Sequence, residues 1–92
     1  MEHLSIKDIH ERLEELNGWE MLGNGITKEF HFSSFNEAME FVQKIGEEAE
    51  RQHHFPDITI KNTIVTVHLT TYEANGLTHD DFKMARVIEQ LV

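Results

Sequence analysis

The sequence predicts an α+β fold of order αββαββα, a four-stranded antiparallel sheet with helices packed on one face. Three observations carry this. Apolar residues recur at three- and four-residue spacing in three segments, the signature of amphipathic helices. They alternate with polar residues in two others, the signature of half-buried strands. Between these segments stand turn and breaker residues: "NG" at 17–18, "GNG" at 23–25, Pro56 and Gly76.

Each element follows in order. Ser5 is a good N-cap, and Ile6, Ile9, Leu13 and Leu16 form one stripe that ends at Asn17–Gly18. "WEML" is a short strand, turned by "GNG" into "ITKEFHF". There Ile26, Phe30 and Phe32 take one face and Thr27, Glu29 and His31 the other, with Lys28 the one poor fit. Ser34 and Glu37 form a capping box, and Phe35, Ala38, Val42, Ile45 and Ala49 make the seam of a helix running to about Gln52. Pro56 cannot continue it and drives Phe55 towards extended geometry. "DITI" and "TIVTVHLTT" are β-branched strands joined by a turn near Lys61, Asn62 and Thr63. After Gly76, Thr78 caps a last helix that buries Phe82, Ala85, Ile88 and Leu91.

The 92 residues make one domain, 1–92, without repeats, linkers or low-complexity segments. A 39% hydrophobic and 27% charged composition is globular, not disordered. The absence of cysteine excludes disulfides, thiolate metal sites and cysteine nucleophiles. A net charge of −9, with no basic cluster, argues against nucleic acid and anionic membranes as partners. No run approaches the ~20 apolar residues of a membrane span, and the N-terminus shows no charged-then-apolar leader, so the expected location is the cytoplasm. His53, His54, His68 and His79 fit no familiar zinc spacing, and no metal is expected. A core this small is marginal, and association with further copies would supplement it.

Three segments, "ITKEFHFSSFNEAMEFV", "EAERQHHFPDI" and "LTTYEANGLTHDDFKMA", resemble the pterin-4a-carbinolamine dehydratases in order, spacing and content. The resemblance runs from Trp19 to the final helix. It implies an α+β fold of this order, assembly as a homodimer or homotetramer, and dehydration of 4a-hydroxytetrahydropterin to the quinonoid dihydropterin without metal or cofactor. Some animal members also serve as dimerisation partners of a homeodomain transcription factor, a role of those members. The family pattern is a glutamate, three residues, two histidines and a proline, then a later histidine or tryptophan, then "GLT" and an aspartate. Without gaps, Glu50 matches the glutamate, His54 the first histidine, Pro56 the proline, Gly76–Leu77–Thr78 the "GLT" and Asp81 the aspartate. Phe55 and Tyr72 fall where histidines are expected, two departures that bear on proton handling. A rival register sets His53 and His54 on the histidine pair, but it loses the glutamate match and needs a gap.

The implied reaction needs a proton for the departing 4a-hydroxyl and a base near N5, and imidazole suits both tasks. His54 is the foremost candidate, against the plainer reading of a loop histidine in water. Tyr72 is a proton or hydrogen-bond donor, or an aromatic packing at a strand end. Glu50 orients a histidine, or lies on a solvated acidic helix face beside Glu47 and Glu48. Phe55 walls a pterin ring or staples the corner. Asp81 caps the last helix, contacts ligand, or does both, with Pro56 and His53 completing the pocket. His68 is expected to be a solvated strand residue. The expected activity is pterin-4a-carbinolamine dehydration. The alternative is a catalytically weakened relative acting as a pterin-binding or protein-binding module.

Overall fold

The computed structural model describes residues 2–92. Helix α1 spans Ile6–Glu14, strand β1 Glu20–Leu22, β2 Gly25–His31, α2 Phe35–Gln52, β3 Asp57–Lys61, β4 Ile64–Leu69 and α3 His79–Leu91. A single 3-10 turn, Tyr72–Ala74, follows β4 and was not foreseen from the sequence. The sheet is antiparallel throughout, in the order β1-β2-β4-β3. The expected fold class and element order are therefore present.

Alternation along the strands determines which face is covered. Ile26 and Phe30 of β2 and Val65, Val67 and Leu69 of β4 are buried with Phe41, Ile45 and Ala49 of α2 and Phe82, Ala85 and Ile88 of α3. Full burial of a side chain such as Ile45 or Phe82 contributes about 1.5–3 kcal/mol. In register on the other face stand Thr27, Glu29 and His31 beside His68, Thr66 and Ile64. That face is open.

Lys28, the misfit of the β2 pattern, lies on the covered face after all. Its ammonium pairs with Glu89 of α3, donates to the Asn17 carbonyl at 2.6 Å and sits 5.0 Å from the Phe30 ring centroid. Trp19 Nε1 donates to the same Glu89 carboxylate at 2.9 Å, and its ring meets Phe30 edge-on. A cation is tolerated there because its charge and its donors are both matched.

Of the predicted stripes, Leu13, Leu16, Val42 and Leu91 are only partly buried against the core, and two positions face solvent. Ile6 is 75% exposed and Phe35 54% exposed. Both open their helices, where side chains lean towards the N-terminus and past the layer they would otherwise cover. Phe41, outside the predicted seam, takes the central place in α2, with Phe30 and Phe32 against it at 4.8 and 5.0 Å between ring centroids.

His68 also departs from expectation. It is half-buried, its Nδ1 atom is enclosed without a hydrogen-bond partner among the described residues, and its ring lies over Gly25. A Cβ at Gly25 would come within 2.6 Å of His68 Nε2 and collide with the Leu69 carbonyl oxygen. Only glycine permits this close approach of β2, β4 and an imidazole.

Candidate active site

Helix α2 ends where the chain adopts left-handed geometry at His53, φ 52° and ψ 41°. The His53 and His54 amides both turn back to the Ala49 carbonyl, the latter at 3.2 Å. Such a C-terminal turn satisfies carbonyl groups that a helix end otherwise leaves without partners. Pro56 then sets the chain on course into β3. The turn presents consecutive side chains beside the segment that leaves β4, and together they form a cleft of about 130 Å³ lined by His53, His54, Phe55, Thr70, Tyr72 and Glu73.

Asp81 organises this corner from beneath. Its carboxyl is fully buried, and it accepts three hydrogen bonds from three stretches of chain. Oδ2 accepts from Thr71 Oγ1 at 2.8 Å and from the Thr78 amide at 2.9 Å, and Oδ1 accepts from His54 Nε2 at 2.6 Å. Thr78 Oγ1 stands 2.8 Å from Thr71 Oγ1, whose own proton goes to Asp81, so Thr78 is the donor in that pair. The bond from the Thr78 amide is one half of a capping box at the start of α3. Capping and site support thus coexist in one side chain. Asp81 does not line the cleft; it holds the residue that does.

This has a chemical consequence for His54. An ionised carboxylate only accepts, so the hydrogen between His54 and Asp81 belongs to Nε2. With Nε2 committed, neutral His54 offers Nδ1 as a lone pair, and the buried carboxylate fixes that tautomer and the orientation of the ring. The His54 side chain is 13% exposed, enough to reach the cleft while its other edge is held.

The other sequence candidates fall differently. Glu50 is exposed and makes no hydrogen bond to any histidine among the described residues. The carboxylate that meets the His54 ring is that of Asp81, while Glu50 is exposed on α2. Tyr72 is 68% exposed and donates its hydroxyl to Asp57 Oδ2 at 2.9 Å, across the mouth of the cleft from β3. That hydrogen bond, and then the charge of Asp57, push the Tyr72 phenol above its ordinary value. Asp57 was not foreseen. The signal available in sequence was its position directly after Pro56, at the same chain corner. Phe55 lies on the cleft, 55% exposed, and Pro56 is half-buried.

A larger hollow of about 490 Å³ lies on the open face of the sheet, beside Glu20, Thr27, Glu29, His31 and Thr66. It offers a surface pair, Glu29 and His31 at 3.4 Å, and no buried partner that fixes a proton. The buried carboxylate–imidazole pair His54–Asp81 lies at the smaller cleft instead. Among the described residues, no three histidine, aspartate or glutamate side chains are grouped to hold a metal ion.

A sheet of this order with helices on one face, and a buried carboxylate holding a histidine at the α2–β3 corner, are features that comparison with other proteins can place. The profile of the Pterin 4 alpha carbinolamine dehydratase family matches residues 2–91. The chain belongs to that family. It is 39% identical over 92 residues to a protein of Sulfurisphaera tokodaii named "Putative pterin-4-alpha-carbinolamine dehydratase", covering 100% of this chain and 99% of the relative. Among solved structures, it superimposes on a transcriptional coactivator/pterin dehydratase from Brucella melitensis with a TM-score of 0.94 and 32% identity, covering 97% of each chain. A pterin dehydratase-like protein identified as a RuBisCO assembly factor in the alpha-carboxysome matches with a TM-score of 0.66 over 79% of this chain and 84% of its own. At 18% identity, that likeness shows the fold alone.

Proposed function

We propose that this protein is a pterin-4a-carbinolamine dehydratase, a hydro-lyase of tetrahydropterin recycling, working in the cytoplasm as a homo-oligomer without metal or cofactor. The observation that carries the reading is the His54–Asp81 pair at the edge of a cleft, in a chain that belongs to the dehydratase family. Dehydration of 4a-hydroxytetrahydropterin breaks the C4a–O bond as a proton reaches the oxygen. Water leaves, N5 gives up its proton, and the electrons of that N–H bond form the N5=C4a double bond. His54 Nδ1 takes the N5 proton, and Asp81 holds the ring in orientation. Phe55 and Tyr72 supply faces for a flat ring, while Pro56 and Asp81 hold the corner in shape.

The cleft is smaller than the roughly 300 Å³ or more usual for a pocket that encloses a small molecule. It therefore grips one edge of the bicycle and leaves the rest exposed. That observation also favours a second reading, a pterin-binding or protein-binding relative with weak turnover. The two separate in one assay, in which the 4a-carbinolamine is generated in situ and its dehydration followed. The dehydratase reading expects acceleration over the spontaneous rate, lowered about 10²–10⁴-fold in His54→Ala, the usual effect of losing one general acid or base. Pterin binding with no acceleration establishes the second reading instead.

A further inference from the structure

We infer that His53 is the general acid of this site, the group that protonates the departing 4a-hydroxyl. The inference rests on the dehydratase reading above and assigns its missing half. The reaction needs one group to give a proton and another to take one, and His54 is fitted only for taking. Its Nε2 hydrogen is held by buried Asp81, leaving an acceptor towards the cleft.

The remaining cleft residues can be taken in turn. Phe55 has no transferable proton. Thr70 donates its hydroxyl hydrogen to the Asn24 carbonyl at 2.9 Å. Tyr72 donates its own to Asp57, and the partner carboxylate makes that proton harder to release. Glu73 brings a carboxylate, which accepts protons when ionised and does not give them. His53 alone remains. It is exposed on the cleft and makes no side-chain hydrogen bond among the described residues, and imidazole is the side chain that carries a releasable proton near neutrality.

The backbone supplies an independent observation. His53 occupies a left-handed helix terminus, a position where glycine, or failing that asparagine, is the usual occupant. The two other non-glycine residues with positive φ among the described residues, Asn62 and Asn75, are asparagines. A histidine there gives up the better local fit, and residues in such conformations cluster at functional sites. The same geometry turns the chain so that neighbouring imidazoles serve one cleft. In the step, His53 passes its ring proton to the 4a-oxygen as C4a–O breaks, and His54 Nδ1 receives the N5 proton. One imidazolium is consumed and one formed, and exchange with water resets both.

The left-handed position makes the test clean, because His53→Asn and His53→Gly suit the backbone at least as well as histidine. The expected result is a fall of about 10²-fold or more in the rate of 4a-carbinolamine dehydration, with the thermal midpoint unchanged or raised. Free imidazole is expected to restore part of the rate in His53→Gly. A rate within a few-fold of wild type in either variant overturns the assignment to His53 and leaves the dehydratase reading standing. A fall that imidazole leaves untouched, or that tracks a lowered thermal midpoint, gives His53 a structural role and overturns the assignment too. A wild-type chain with no acceleration overturns both readings together.

Discussion

Asp81 and Tyr72 are the residues through which the corner is tuned, and each carries a prediction. Replacing Asp81 by alanine leaves the Thr71 hydroxyl, the Thr78 amide and His54 Nε2 without their acceptor inside the protein. Losing the shared partner of a buried network costs about 3 kcal/mol or more, to be read from chemical denaturation. Glu50→Gln, on the solvent side of α2, is expected to change both stability and dehydration rate by little. A loss of rate in Glu50→Gln as large as in Asp81→Asn would return the orienting role to Glu50. Tyr72 is the chain's sole tyrosine, so its ionisation is directly visible by ultraviolet difference titration. Its midpoint is expected above the ordinary 10.0, and Asp57→Asn is expected to lower it, since the hydrogen bond to Asp57 and the charge of Asp57 both favour the neutral phenol. The linkage has a definite sign. A pKa raised on folding gives stability that is complete below the unfolded value and is lost as pH rises through the folded one. The contribution of the Tyr72 phenol is therefore complete below its ordinary range and fades only in strong alkali.

At the scale of elements, local chemistry was legible and long-range chemistry was not. Of the S-x-x-E box at the start of α2, the serine half is built as the sequence implies, while the glutamate half falls one residue early. Ser34 Oγ accepts the Glu37 amide at 3.1 Å, and the Glu37 carboxylate reaches back to Ser33. Ser34→Ala is expected to cost about 1 kcal/mol. The Ser33 hydroxyl is the main cause of a lowered Glu37 pKa. That contribution is present above the ordinary carboxylate range and is lost as pH falls through the lowered value. Strand alternation likewise announced the covered face of the sheet. Lys28 resisted interpretation because its charge partner Glu89 lies 61 positions away on α3, and no periodicity connects them. The site was half legible for the same reason. His53, His54 and Phe55 could be placed together from adjacency, but the choice of Asp81 over Glu50 as partner of His54 depends on how α3 docks against α2. Gly25 shows the limit most plainly. "GNG" reads as a turn, yet its last glycine is required by the Leu69 carbonyl and the His68 ring across the sheet. Gly25→Ala is expected to exceed the typical loss of about 1 kcal/mol for a single substitution, because the backbone of β4 has no free direction to move.

For the whole molecule, the covered and open faces of one sheet set the expectation for assembly. Both outer strands, β1 and β3, have one neighbour each, so each presents a row of unpaired backbone groups. Exposed apolar side chains stand near these margins and on the outer side of α2: Met21 and Leu22 on β1, Phe35 and Met39 on α2. A chain of 92 residues buries a modest core, and copies that cover each other's edges and apolar margins add what a single copy lacks. Opposing this is a net charge of −9 on every copy. Association is therefore expected to strengthen as salt is added, because screening weakens the repulsion between like-charged copies while leaving apolar contact in place. Sedimentation of the purified chain at micromolar concentration is expected to give a multiple of the chain mass at physiological salt and a larger monomer fraction at low salt. Phe35→Glu combined with Met39→Glu separates the two surfaces involved. If the pair of substitutions leaves the assembly intact, the sheet edges carry it; if it yields monomers, the outer side of α2 does. A chain that sediments as a monomer at every salt concentration would show that the edges stay bare and that the core is sufficient by itself.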